Sequence, residues 1–161
     1  MKNIKTYESF NQQSLNFELL HYSNNIASLN KMRELLKNGA DPNCKDGLSM
    51  TPLYNACRNF FYSGIKLLIE NGADVNLATK TNMTPFYALA CSGKYMYRKQ
   101  GKTINNIVDI LIENGADLSI NPINTDWYEQ ASAQFVEYVE DKYPEKFEEY
   151  LMKKEAGKYN L

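Results

Sequence analysis

Leu67-Leu68-Ile69-Glu70-Asn71-Gly72-Ala73-Asp74-Val75-Asn76 decides the reading of this chain, because the chain repeats it in outline on either side. The earlier copy is Leu35-Leu36-Lys37-Asn38-Gly39-Ala40-Asp41-Pro42-Asn43, and the later one is Leu111-Ile112-Glu113-Asn114-Gly115-Ala116-Asp117-Leu118. Each copy is an apolar helix end followed by Asn-Gly. Glycine takes the left-handed conformation without a Cβ clash and so lets the last helical carbonyls find partners. The Asp that follows can bond its own backbone and start a tight turn.

A second phrase follows each of the first two glycines. It reads Thr51-Pro52-Leu53-Tyr54-Asn55-Ala56-Cys57, then Thr84-Pro85-Phe86-Tyr87-Ala88-Leu89-Ala90. Threonine is a good N-cap, and proline suits the first helical position, where its missing N–H costs nothing. Gly39 to Gly72 and Thr51 to Thr84 are both 33 residues apart. A fixed period of this length, built from turn, helix and helix, signals a stacked repeat.

Both phrases resemble the ankyrin repeat family, in its helix-opening Thr-Pro-Leu-His and its Leu-Leu-x-x-Gly-Ala-Asp-x-Asn. The resemblance covers about residues 17 to 121. It implies an all-α solenoid of about four helix-turn-helix repeats joined by short hairpin-like turns. The expected organisation is an N-terminal arm or helix over 1–14 and a single repeat domain over 15–161. Within the domain, 15–43 is an N-terminal cap repeat, 44–76 and 77–119 are repeats, and 120–161 is a C-terminal cap. Caps are expected to depart from the motif, since their outer face meets water instead of a neighbour. Tyr54 stands where the family has histidine. A phenol reaches further and can still bond, so the turn geometry there is open.

The third repeat breaks the period, because Gly72 and Gly115 are 43 residues apart. The surplus falls within an inserted segment, Lys94 to Asn106, between the two helices. It carries Lys94, Arg98, Lys99 and Lys102, interleaved with Tyr95, Met96 and Tyr97. Three readings stay open for it: a solvated loop or longer helix with a turn at Gly101, a protein contact, or a nucleic-acid contact. Basic and aromatic residues together can hold phosphates and stack on bases. Tyr, Met and Arg are also enriched at protein interfaces.

Composition narrows the function classes. The 161 residues carry a net charge of −1, so no global field favours nucleic acid or an anionic membrane. From Thr125 onward nine acidic residues face five lysines. No apolar run approaches the roughly 18 residues of a membrane span. The first ten residues lack the apolar core of a secretory signal. Lys5-Thr6-Tyr7-Glu8-Ser9-Phe10 looks instead like the Lys-Thr-Tyr-x-x-Phe start that targets internal proteins of some tailed bacteriophages to the capsid. Cys44, Cys57 and Cys91 are an odd set without metal spacing and read as reduced thiols of a cytoplasmic protein, or of a virion or host cytoplasm if viral. Cys57 occupies a small-residue slot in its helix, whereas Cys91 falls where it could be exposed.

Catalysis has little to work with. His21 is the only histidine, the carboxylates are scattered, and the glycines serve turns instead of a phosphate loop. The expectation is a non-enzymatic module, without cofactor or metal, that binds another protein as an inhibitor or adaptor and is itself a monomer. A packaged phage protein and a nucleic-acid binder are the alternatives. The family implies a concave face made of the turns and first helices. By register that face presents Leu48, Met50, Asn55 and Arg58 from one repeat, and Lys80, Thr81, Met83, Ala88 and Cys91 from the next. Tyr95, Tyr97, Arg98 and Lys99 of the insertion complete the expected partner-binding set, with Met50, Met83 and Tyr97 as anchors.

Overall fold

The computed structural model describes residues 2–121 and 126–158, apart from the side chains of 2–10, 94, 95, 97, 98 and 158. Its helices are α1 (Lys2–Tyr22), α2 (Leu29–Lys37), α3 (Pro52–Arg58), α4 (Tyr62–Glu70) and α5 (Pro85–Glu113), then α6 (Trp127–Gln130), α7 (Ala133–Lys142) and α8 (Pro144–Lys158). No strand occurs among the described residues. Contacts run from neighbour to neighbour: α1 packs on α2 and α3, α3 on α4 and α5, α5 on α6 and α7, and α7 on α8. That is the one-dimensional stacking of a solenoid.

The glycine stops and threonine starts act as the sequence predicts. Gly39, Gly72 and Gly115 have φ of 94°, 86° and 86°. After each, the alanine N–H returns to the helix end, as in Ala73 N to Leu68 O at 3.0 Å. At the other end, Thr51 Oγ1 accepts from Tyr54 N at 3.1 Å and Thr84 Oγ1 from Tyr87 N at 3.2 Å. These two devices set the starts of α3 and α5 and the ends of α2, α4 and α5.

One apolar core threads the stack. Leu19 and Met32 begin it, Leu53, Ile65 and Leu68 carry it through the middle, and Phe86, Ile104, Val108 and Leu111 continue it. Trp127, Phe135, Val139 and Tyr150 close it at the C-terminal end. Each such side chain contributes about 1.5–3 kcal/mol by leaving water. Edge-on rings at Phe86, Trp127 and Phe135, with centroids 5.2–5.9 Å apart, bind the last repeat to its cap.

The two ends of the stack are helical. α1 crosses the 14/15 division without a break, and Gln12 already bonds Gly39 O at 2.7 Å. The segment is therefore part of the cap helix from at least Gln12 onward. The described residues from 126 onward fold as three helices, the first two capped by Asp126 and Ser132 and the third beginning at Pro144.

The insertion is helical. It joins both helices of the third repeat into α5, which bends where Gln100 leaves helical geometry (φ −128°, ψ 18°). A straight helix would hold Gly93 and Ile104 about 16 Å apart. In the fold, a Cβ built on Gly93 would lie 3.7 Å from Ile104 Cδ1, so the two arms of α5 fold sharply together. The surplus residues thus lengthen helices instead of making an open loop, and the turn falls beside Gly101.

Candidate functional site

Two turns project from the stack ahead of α3 and α5. In the first, Asp46 N–H donates to Met50 O at 3.1 Å and Ser49 N–H to Asp46 O at 3.0 Å. Asp46 Oδ1 accepts from the N–H groups of Leu48 and Met50, both at 2.9 Å, which fixes the tip. The second turn repeats the plan, with Thr79 N–H on Met83 O at 3.0 Å and Thr79 Oγ1 accepting from Met83 N–H at 3.1 Å. Ser49 and Asn82, 33 residues apart, take the left-handed residue of each turn, with φ of 62° and 61°. A single left-handed residue after a tight turn is the usual way to close a short hairpin.

The turns are bonded side by side. Lys80 N–H donates to Leu48 O at 3.1 Å, and Lys80 Nζ to Gly47 O at 2.8 Å. Behind them the Tyr54 hydroxyl reaches Met83 Sδ at 3.8 Å. This is where the tyrosine in the histidine slot goes: it links its own repeat to the next. Burial pushes the Tyr54 phenol above its ordinary range, the Arg58 charge pulls it part of the way back, and Cys91 adds a small push upward.

The expected binding residues divide into three groups. Leu48 is 61% exposed, and Arg58, Lys80, Thr81 and Lys99 are also exposed. Met50, Met83 and Cys91 are half-buried, and Met83 packs partly on the core. Asn55 and Ala88 are corrections: they are buried at 6% and 4% exposure and cannot meet a partner. α3 and α5 pack directly on each other, so those two positions turn into the stack. Asn55 Nδ2 points instead to Leu20 O of α1, at 3.5 Å. The side chains of Tyr95, Tyr97 and Arg98 lie outside the described residues. Their backbone forms the distal part of the first arm of α5.

Two features were not anticipated from the residues alone. One is Lys45, exposed in the first turn and adding a charge to the same face. The other is a ladder of amides along the opposite loops. Asn43 Nδ2 donates to Gly72 O at 2.9 Å while its Oδ1 accepts from Asp74 N–H at 2.8 Å. Asn76 does the same to Gly115 O and Asp117 N–H, at 2.9 and 2.8 Å. In the cap two residues share the task. Gln12 Nε2 donates to Gly39 O, and Asn16 Oδ1 accepts from Asp41 N–H at 2.8 Å. The polar pair Gln12/Asn16, one turn apart on a helix, was the available signal.

Burial, helped by Asp41, pushes the Cys44 thiol up to about 12, and burial pushes Cys57 higher still. Both are therefore thiols, not thiolates, at neutral pH. His21 is exposed at the end of α1, edge-on to Tyr22. Among the described residues no group of three or more His, Cys, Asp or Glu side chains could hold a metal ion. No helix among them is long and apolar enough to cross a membrane.

No curated protein matches the chain. The family model for ankyrin repeats matches residues 19–122, in three copies. The match spans the glycine stops, the threonine-opened helices and the paired turns described above, and so the chain belongs to the ankyrin-repeat family.

Proposed function

We propose that this chain is a non-enzymatic recognition module that binds a cellular or host protein through the face made by its two turns and the first arm of α5. Ankyrin repeats generally mediate protein–protein interaction. The observation that carries the assignment to this face is the placement of Leu48, which is 61% exposed at the tip of a turn held rigid by Asp46. Met50 and Met83 stand beside it, half-buried and therefore only partly satisfied by the fold. Pre-set apolar side chains on a rigid scaffold lose little entropy when a partner covers them. The bend at Gln100 extends the surface by the arm that carries Tyr95, Tyr97, Arg98 and Lys99. Inhibition or adaptor action follows from occupancy alone and needs no catalytic group.

The test is affinity capture from candidate host lysates, with the intact chain compared with Leu48→Asp and Met50→Asp. A partner retained by the wild type should be lost from both variants while their melting temperatures stay within a degree or two. Retention of every captured protein by both variants would move the binding site elsewhere.

A further inference from the structure

Several described cations on the face of the turns form no ion pair, whereas most described lysines elsewhere do. Lys31, Lys66, Lys142, Lys146, Lys153 and Lys154 each pair with a carboxylate on α1, the outer helices or the C-terminal cap. Lys45, Arg58, Lys80 and Lys99 are exposed, and none of the four forms an ion pair among the described residues. The one carboxylate of the turns, Asp46, is engaged by backbone N–H groups at its own tip. Lys80 is anchored at Gly47 O by a carbonyl, which orients its ammonium but leaves the charge uncompensated. A molecule of net charge −1 thus carries uncompensated positive charge on Lys45 and Lys80, in the same turns as exposed Leu48 and half-buried Met50 and Met83, and on Arg58 at the end of α3.

Resting on the reading of this face as the binding site, we propose that its partner presents an acidic protein segment with an apolar anchor. The anchor covers Leu48 and Met83, and the segment's carboxylates meet Lys80 on the turns and Arg58 at the end of α3. Opposite potentials speed encounter and fix register, and the apolar contact supplies the slow release. Unpaired cations with an exposed leucine and half-buried methionines on the same turns fit carboxylates around an apolar residue, and a chain of net charge −1 lacks the general field that favours a nucleic-acid backbone.

The experiment uses the full chain and a short fluorescein-labelled peptide of glutamates around a pair of leucines, read by anisotropy. Binding is expected, weakening steeply as salt is raised. The double reversal Arg58→Glu with Lys80→Glu should weaken it at least about tenfold, as should Leu48→Asp. A control peptide with lysine in place of each glutamate should not bind. Equal affinity for both peptides, or no loss on charge reversal, overturns the acidic partner. So does tighter binding of a uridine homopolymer that the same reversals abolish. Self-association of the chain, lost on the same reversals, would also overturn it by making a second copy the occupant. If a lysate partner is lost from Leu48→Asp but kept by the charge reversal, the binding face stands and only the acidic preference falls. If neither peptide nor lysate protein engages the face, both fall.

Discussion

At the residue scale the backbone angle, more than the side chain, decides what a position tolerates. Gly72 has φ of 86°, and a Cβ placed on it would meet no atom within 4 Å. The requirement for glycine is therefore conformational and not steric from neighbours. A left-handed angle costs an ordinary residue about 1–2 kcal/mol, and a β-branched one more. Gly72→Val should thus destabilise by more than about 1 kcal/mol, with Gly72→Ala at the low end of that range. Urea denaturation followed by circular dichroism would measure it, and an unchanged midpoint in both variants would refute the conformational account. The same angle was legible in the sequence at Gly39, Gly72 and Gly115, where Asn-Gly ends an apolar helix. It was not legible at Ser49 and Phe60, with φ of 62° and 56°, where the fold imposes it on side chains that do not advertise it; Asn82, at 61°, is a residue type that accepts it readily. Asn55 and Ala88 failed as surface residues for a related reason. Register in a repeat says which helix a residue sits on, but the tight approach of α3 to α5 decides which of its faces survives as surface.

At the scale of elements, separate hydrogen-bonded seams join the repeats. On one side the turns are tied through Lys80 to Gly47 and Leu48. On the other, each asparagine amide spans two backbone groups of the next repeat. Asn76→Ala removes a donor to Gly115 O and an acceptor for Asp117 N–H together. Both groups lie near the surface and water can reach them, so the expected loss is about 1–2 kcal/mol, not the larger cost of sealed polar atoms. Asn43→Ala should cost about as much, since it spans Gly72 O and Asp74 N–H in the same way. The two losses should add in the double variant, because they act at different repeat boundaries. Strong non-additivity in denaturant titrations would show that the boundaries are not independent. The insertion teaches the complementary lesson. Its length and position were readable from the glycine spacing, but its helical path was not. Lys, Tyr, Arg, Gln and Asn are neutral enough to accept either a loop or a helix. Tertiary contacts such as Ile104 against Gly93 settle the matter.

On the scale of the whole molecule, the C-terminal cap is tied to the stack by carboxylates paired with tyrosine hydroxyls and lysines. Asp109 on α5 accepts from the hydroxyls of Tyr138 and Tyr143 at 2.8 and 2.9 Å and pairs with Lys142 at 2.7 Å. Asp117 meets Lys153 at 3.3 Å, and Asp126 meets Tyr150 at 2.7 Å and Lys154 at 2.8 Å. Burial pushes all three carboxyls upward, but hydrogen bonds to the charged forms outweigh it and hold them below the ordinary carboxylate range. A carboxyl that is lower when folded than when unfolded stabilises the fold above its unfolded value, near 3.9. That stability is lost as pH falls from there through the lowered folded values. Acid should therefore release α7 and α8 before the repeats, whose seams are neutral amides. Trp127, the only tryptophan, is fully buried against Phe135 and Tyr150 and reports on this region alone. Its emission should shift to the red below about pH 4 while most helical circular dichroism persists. In Asp109→Asn the shift should begin at higher pH, because the remaining contacts hold the cap less firmly. If tryptophan emission and helical signal are instead lost together, with the same midpoint in both proteins, the three carboxylates are not what holds the cap to the stack.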